Sequence, residues 1–256
     1  MTALSPLSPP AEPCPVQNAL PNRARNAEIR RGIKASLPVM IGFVPFALVL
    51  GAQARTKGFA FAEVPLMTGL NFGGGSEFAA VGLWTSPPHL LLILAVTLLV
   101  NSRHILMGAT LAPFLRHLPR RKVLPMLFLM CDESWAMALT DAKARQREGR
   151  AVVFSLPYYL SLSIGLYLSW VVFTALGAMI GPVLGDVTRF GFDMAFPAVF
   201  FVLLRGMWKG AATALPWAAC ALVAGTVYAT IPGAWYVPAG ALTGVITAWL
   251  IAGRRV

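Results

Sequence analysis

The chain has 256 residues, of which 57% are hydrophobic and 12% are charged, and its mean hydropathy is +0.68. Soluble domains carry about 45–50% apolar and about 25% charged residues, so this composition excludes a soluble globular fold and places most of the chain in lipid. The net charge of +11 does not indicate a nucleic-acid partner. The basic residues cluster at the ends of apolar segments, as they do in the cytoplasmic loops that orient membrane helices.

Residues 1–34 are rich in proline and end in a run of basic residues. They contain no apolar stretch of the kind that precedes a signal-peptide cleavage site. We therefore predict a disordered, basic N-terminal tail over residues 1–34, which takes no part in chemistry. Residues 35–254 form the predicted transmembrane domain.

Eight segments of this domain are long and apolar enough to be membrane helices, which need about 20 mostly apolar residues. We predict an all-α, polytopic integral membrane protein with about eight transmembrane helices, some of them broken or re-entrant. The segments cover approximately residues 35–54, 63–84, 88–115, 122–140, 151–180, 190–206, 211–231 and 236–252. The bias of basic residues favours a cytoplasmic N-terminus and C-terminus. With eight spans and a cytoplasmic N-terminus, the basic loop at 116–122 would lie on the outer side of the membrane, which the same bias disfavours. Whether segment 122–140 spans the membrane or is re-entrant therefore stays open.

The second segment is interrupted by three consecutive glycines, which are poor helix interior at about 1 kcal/mol each relative to alanine. One interpretation is a helix break whose amides and carbonyls bind the charged ends of a zwitterion. The alternative is close packing between helices through small residues. The polar residues beside the glycines favour the first interpretation, and the candidate pathway residues here are Asn71, Gly74, Gly75, Ser76 and Glu77.

Glu77 is an acid inside an apolar segment, where burial penalises the charged form of a carboxylate. It could therefore take up and release a proton during transport. A structural ion pair with Arg103 is the alternative role, and the two roles can coexist.

Asn101, Ser102, Arg103 and His104 lie in the middle of the third segment. A charge near the bilayer centre costs about 2.5–3.5 kcal/mol on insertion scales, so such groups usually face a site or a pathway. On a continuous helix Asn101 and His104 share one face, whereas Arg103 points about 200° away from Asn101. Either Arg103 reaches an acid on a neighbouring helix, or the helix unwinds here. We take Asn101, Arg103 and His104 as candidate pathway residues.

Three further acids lie in apolar segments: the neighbours Asp132 and Glu133, and Asp193 at the start of the sixth segment. All three are candidate pathway residues. If the fourth segment is shallow or re-entrant, Asp132 and Glu133 lie near water instead, and Asp193 could cap a helix. No histidine or cysteine ligand set accompanies these acids, so we predict no metal site.

An internal repeat is visible in two places. FGGGSEFAAV at 72–81 matches FGFDMAFPAV at 190–199 in five of ten positions, and Ser-Leu-Pro at 36–38 recurs at 155–157. The predicted repeats cover about residues 36–115 and 155–231. Secondary transporters are often built from such repeats, with broken helices meeting at a midplane binding site, although an apolar composition also produces chance matches.

Sequence signatures of catalysis are absent. The chain has no His-Glu-x-x-His, no Gly-x-Ser-x-Gly and no phosphate-binding Gly-x-x-x-x-Gly-Lys motif. We therefore predict that it is not an enzyme and holds no cofactor, and ATP-driven transport would require a separate ATPase.

Four sequence elements together resemble the AzlC family, the large subunit of two-component branched-chain amino acid exporters. The resemblance runs from about residue 30 to 252, with one departure at Glu77, where the family usually has glutamine. An acid there could tune proton coupling or select a more polar substrate. The four elements are Gly32-x5-Pro38-x3-Gly42-x2-Pro45-Phe46, Gly74-Gly75-Ser76-Glu77-Phe78, Asn101-Ser102-Arg103-His104, and the pair Asp132-Glu133-x-Trp135 and Gly191-Phe192-Asp193-Met194-Ala195.

The resemblance implies an inner-membrane exporter of valine, leucine and isoleucine, with methionine as a further candidate. It also implies a small, multi-spanning partner of the AzlD type and energy from the proton motive force. Two other hypotheses stay open. One is an integral-membrane enzyme that acts on a lipid-type substrate through Asp132, Glu133 and His104, for which divalent-metal dependence would argue. The other is a non-transporting membrane subunit, for which intramembrane charges without an access path would argue.

Overall fold

The computed structural model describes residues 21–184, 214–231 and 235–253, and the single positions 201, 205, 208 and 210. These residues form helices and no strands, which confirms the predicted all-α class. The helices are α1 (Asn22–Thr56), α2 (Glu63–Asn71), α3 (Gly75–Gly82), α4 (Leu90–Asn101), α5 (Arg103–Leu115), α6 (Arg120–Phe128), α7 (Asp132–Arg147), α8 (Leu156–Leu184), α9 (Leu215–Thr230) and α10 (Tyr236–Gly253).

Within the described residues, three stretches of helix are long and apolar enough to cross a membrane. They are α1 with 35 residues, α4 and α5 together as Leu90–Leu115 with 26, and α8 as Leu156–Val183 with 28. Large apolar side chains on α4 are exposed, which is unfavourable in water and favourable in contact with lipid. The exposed leucines of α4 are Leu90, Leu91, Leu94 and Leu98. The polytopic membrane class is confirmed. The number of eight spans stays a prediction, because segment 190–206 lies largely outside the described residues.

Three of the predicted segments are each divided into two helices. Segment 63–84 forms α2 and α3, which are separated by residues 72–74, and segment 88–115 forms α4 and α5, which meet at Ser102. Segment 122–140 lies in α6 and α7, which are separated by residues 129–131. Broken helices therefore follow one another along this part of the chain, as the predicted fold class allowed.

The described residues divide into two compact units. The first unit contains residues 21–39 and 104–166, and the second contains residues 40–103 and the described residues from 167 onward. Residues of α5, α6, α7 and the start of α8 form the core of the first unit. Its buried members are Met107, Leu111, Leu115, Met126, Met130, Ala138, Ala142, Phe154 and Tyr159.

Four charged side chains join α1 to α7 within the first unit. Arg31 Nη1 lies 2.6 Å from Asp141 Oδ1, and Arg145 Nε lies 2.9 Å from Asp141 Oδ2. Both arginines also bind Glu28, which accepts a further hydrogen bond from the Ser155 hydroxyl at 2.7 Å. The Arg145 side chain is only 8% exposed. It can be buried because two carboxylates balance the two guanidinium groups and accept their hydrogen bonds.

The structure differs from the predicted disordered tail over residues 22–34, which belong to α1. Glu28 and Arg31 bind partners that lie 110 to 127 positions away in the sequence. Local sequence alone predicts that such a basic run is solvated and disordered. Its helical order in the structure comes from these distant contacts. Residues 1–20 lie outside the described residues.

We expect Arg145→Ala to lower the free energy of unfolding by about 3 kcal/mol, because the partly buried carboxylates of Glu28 and Asp141 would keep their charges with one guanidinium between them. Thermal unfolding of the purified protein in detergent measures this change. Arg147→Ala is the matched control on the same helix, and its exposed side chain predicts a change within about 0.5 kcal/mol. Equal unfolding temperatures for the two variants would contradict a stabilising role of the cluster.

In the second unit, α1 and α8 run parallel with their backbones in contact. A Cβ atom added to Gly51 would lie 2.0 Å from the Thr174 carbonyl oxygen, and one added to Gly177 would lie 2.2 Å from the Leu48 carbonyl oxygen. Farther along, a Cβ atom added to Gly181 would lie 2.9 Å from the Ala52 Cα, so the pair Leu48–Gly177 is followed by the pair Ala52–Gly181 and the helices share one direction. Small residues allow this approach, as they do in many membrane helix pairs.

α2 packs antiparallel to α8. The Thr68 and Thr174 hydroxyls form a buried hydrogen bond of 3.0 Å, while the Phe72 ring meets the Tyr167 ring edge-on at 5.1 Å between centroids. The Tyr167 hydroxyl donates to the Gly69 carbonyl at 2.8 Å. These bonds occupy polar groups that would otherwise be unsatisfied in an apolar environment, so they fix α2 against α8.

α3 returns to the end of α1 from which the chain entered α2. Trp84, just after α3, packs on Phe59, just after α1, with 4.4 Å between the ring centroids. α2 and α3 therefore form a helical hairpin with its tip at residues 72–74. The second predicted segment is thus broken into a hairpin of two short helices, and broken helices were part of the predicted fold class.

Candidate functional site

The tip of the hairpin is a sharp reversal of the backbone. Phe72 has a φ of 45° and Gly74 has a φ of 57°, so both occupy the left-handed region. The Phe72 amide donates to the Thr68 carbonyl at 3.0 Å, which ends α2 in the manner of a left-handed C-cap. Glycine at position 74 adopts its conformation without the strain that a Cβ atom would add.

Gly73 has no room for a side chain. An added Cβ atom would lie 2.2 Å from Ser76 Oγ, 2.7 Å from Asn101 Oδ1 and 3.0 Å from Asn71 Nδ2. Three polar side chains thus pack directly on the backbone of the tip. The triple glycine in the sequence predicts the break, but it does not show which of the three glycines lies in this crowded position.

Glu77 lies beneath the tip and is 1% exposed. Its Oε1 accepts the Gly73 amide at 3.1 Å, and its Oε2 accepts the Trp170 Nε1–H of α8 at 2.7 Å. Trp170 is held in turn by the edge of the Phe43 ring, with 5.5 Å between centroids. Both carboxylate oxygens therefore act as acceptors for buried donors, as the burial of a carboxylate requires.

A chain of amide and hydroxyl groups surrounds the tip. Asn101 Nδ2 donates to Asn71 Oδ1 at 2.8 Å, and Asn71 Nδ2 donates to Ser76 Oγ at 2.7 Å. Arg103 Nη2 donates to the Gly73 carbonyl at 2.9 Å. Asn101 and Arg103 reach the same tip because regular helix is interrupted at Ser102 and the arginine side chain is long. Ser102 itself keeps helical dihedral angles (φ −55°, ψ −24°), so the helix is irregular at one residue and is not unwound, and an acid partner of Arg103 stays a prediction.

Gly73 links the base and the acid of the site through the two peptide groups on either side of its Cα atom. Arg103 binds its carbonyl oxygen, and Glu77 binds its amide. A change in the charge of either side chain therefore acts on the backbone of the same residue. A direct ion pair between Glu77 and Arg103 stays a prediction.

The N-terminus of α3 faces the tip with open amides. Gly75 and Ser76 begin the helix, where backbone amides have no acceptor within the helix, and Gly74 at the N-cap provides no side-chain acceptor. Gly74 and Gly75 are both partly exposed. The positive end of the helix dipole adds to these amides, so the tip can bind an anionic group such as a carboxylate.

The other candidate residues lie elsewhere. His104, Asp132 and Glu133 belong to the first unit, and both acids lie in the first turn of α7, where negative charge stabilises a helix. Asp193 lies outside the described residues. In the described ranges, no three His, Cys, Asp or Glu side chains are close enough to hold a metal ion. The pathway roles of these four residues stay predictions, whereas the second unit brings together Asn71, Gly74, Gly75, Ser76, Glu77, Asn101 and Arg103.

The fold and the buried polar tip define a polytopic α-helical membrane protein with a broken helical hairpin. The family model described as AzlC protein matches residues 38–184, a range that includes the whole hairpin and Trp170. The chain belongs to the AzlC family. This membership supports a role in membrane transport.

Curated relatives cover most of the chain. It is 30% identical over 191 residues to a membrane protein of Archaeoglobus fulgidus, with 73% of this chain and 79% of the relative covered. It is 27% identical over 186 residues to the branched-chain amino acid transport protein AzlC of Bacillus subtilis, with 71% and 68% covered. It is 25% identical over 228 residues to the inner membrane protein YgaZ of Escherichia coli, with 87% and 90% covered. No solved structure matches the chain.

Proposed function

We propose that this protein exports branched-chain amino acids (valine, leucine and isoleucine, with methionine as a further substrate) across the inner membrane. It works with a small, multi-spanning partner subunit of the AzlD type and is driven by the proton motive force. Membership in the AzlC family and the name of the Bacillus subtilis relative support the substrate class. The observation that carries the proposal is the hairpin tip, where open amides and a buried carboxylate lie within one turn of helix.

The open amides at the start of α3 suit the carboxylate of an amino acid. The amide of the partly exposed Gly75 is the proposed donor, and the helix dipole adds positive potential without the desolvation cost of a buried cation. Discontinuous membrane helices bind the carboxylates of transported substrates in this way. The negative charge of Glu77, one turn away, is suited to the ammonium group of the same substrate.

Glu77 is also the proposed proton carrier. In the charged form its two oxygens accept from the Gly73 amide and from Trp170 Nε1–H. A proton on either oxygen adds an O–H donor there and makes that oxygen a weaker acceptor, so its contact with Gly73 or Trp170 would weaken. Proton uptake would thereby change the backbone of the tip at Gly73, next to the amides that hold the substrate. This link provides a physical route for coupling proton movement to substrate release.

Efflux from cells preloaded with labelled valine, leucine, isoleucine and methionine tests the proposal. We expect efflux when this chain and the small partner subunit are produced together, no efflux with either alone, and loss of efflux on addition of a protonophore. Cells that produce the partner with the Glu77→Leu chain are the matched control. Absence of efflux for all four amino acids, with both subunits present in the membrane, would contradict the proposed substrate class.

A further inference from the structure

The turn between α5 and α6 and the first turn of α6 carry a concentrated positive charge. Residues 116–122 read Arg-His-Leu-Pro-Arg-Arg-Lys and contain no acid. Arg116, Arg120 and Arg121 are exposed. We call residues 116–122 the basic turn.

The basic turn places its cations at an unfavourable end of a helix. The first turn of α6 contains Arg120, Arg121 and Lys122 and no acid, and Pro119 at the N-cap provides no side-chain hydrogen bond. The N-terminus of a helix carries about half a positive charge, so these cations repel it as well as one another. α7 begins in the opposite way, with two acids in its first turn. An anion bound at the start of α6 would offset the repulsion there.

One face of α6 continues from this charge into apolar side chains. Arg120, Leu124 and Phe128 follow one another at intervals of four residues and therefore share a face. Leu124 is 67% exposed and Phe128 is 47% exposed. The face thus begins with a cation and continues with apolar groups over about 12 Å of helix. A small water-soluble anion would leave these apolar groups unused, whereas a lipid with a charged headgroup would cover both parts.

We propose that the basic turn and the face formed by Arg120, Leu124 and Phe128 bind an anionic phospholipid. The phosphate lies against Arg120 and Arg121, and an acyl chain lies along Leu124 and Phe128. Clusters of basic residues beside membrane helices bind anionic headgroups in this manner. The site is separate from the hairpin tip and does not depend on the transported substrate.

Native mass spectrometry of the purified protein in detergent, titrated with phosphatidylglycerol or phosphatidylcholine, tests the site. We expect phosphatidylglycerol to bind in preference to phosphatidylcholine, and the double variant Arg120→Gln/Arg121→Gln to bind it about tenfold more weakly. The matched control is Lys143→Gln/Arg147→Gln, which removes the same charge from exposed positions on α7 and should bind as the native chain does.

Two further measurements separate the parts of the site. Leu124→Ser removes the apolar contact and leaves every cation, so it should weaken phosphatidylglycerol binding while the protein keeps its unfolding temperature. Glycerol phosphate, which has the headgroup chemistry without acyl chains, should not displace the lipid at equal concentration. Equal losses in both double variants would show an effect of bulk charge only, and displacement by glycerol phosphate would show a soluble-anion site. Either result would overturn the proposal.

Discussion

Glu77→Leu should abolish transport and destabilise the second unit. The variant removes the acceptor of the Gly73 amide and of Trp170 Nε1–H and leaves both donors buried in an apolar environment. Each unsatisfied buried donor costs about 1–3 kcal/mol, so the hairpin tip would rearrange. Efflux of labelled valine and thermal unfolding of the purified protein measure the two effects. Glu63→Leu, at an exposed acid of the same hairpin, is the control and should keep transport.

Glu77→Gln separates the proton from the geometry. Glutamine has nearly the size of glutamate and keeps one acceptor oxygen, so the fold and substrate binding should persist although its amide nitrogen cannot accept and one of the two contacts is lost. It cannot take up a proton at this position, and we therefore expect the pH dependence of efflux to change. A pH profile identical to that of the native chain would exclude Glu77 as the proton carrier, even if Glu77→Leu is inactive.

The sequence predicts much of this site, because its features are local. Three consecutive glycines disfavour helix wherever they occur, so the break at 72–74 follows from residue type alone. The position of Glu77 in an apolar segment predicts a buried acid that needs partners. Polar side chains such as those of Asn101 and Arg103 are rare at membrane depth, because transfer into lipid is costly for them. The structure places both at the tip.

The partners of these residues could not be predicted in the same way. Trp170 binds Glu77 across 93 positions of sequence, and nothing in its local pattern distinguishes it among 7 tryptophans. A buried carboxylate requires a donor, but tertiary packing alone selects which one. The hairpin form of segment 63–84 has the same origin, because a broken span and a hairpin can have the same length and hydropathy. The contact between Phe59 and Trp84 distinguishes the two.

The close contact of α1 and α8 predicts that one added methyl group will lower the stability of the protein. We expect Gly177→Ala to lower the free energy of unfolding by about 3 kcal/mol, near the upper end of the usual range for overpacking. The added Cβ atom would lie 2.2 Å from the Leu48 carbonyl oxygen. Its neighbours are backbone atoms, so no side-chain rotation can relieve the overlap and the helices must move apart.

Separation of these helices would also act on the site, because α8 carries Trp170 and α1 carries Phe43, which packs against it. We therefore expect Gly177→Ala to reduce efflux as well as stability. Gly42→Ala is the matched control, since an added Cβ atom on this glycine of α1 meets nothing within 4 Å. It should be neutral or slightly stabilising, because alanine favours helix over glycine by about 1 kcal/mol. If Gly177→Ala unfolds at the same temperature as Gly42→Ala, the backbone contact between α1 and α8 does not determine the stability of the second unit.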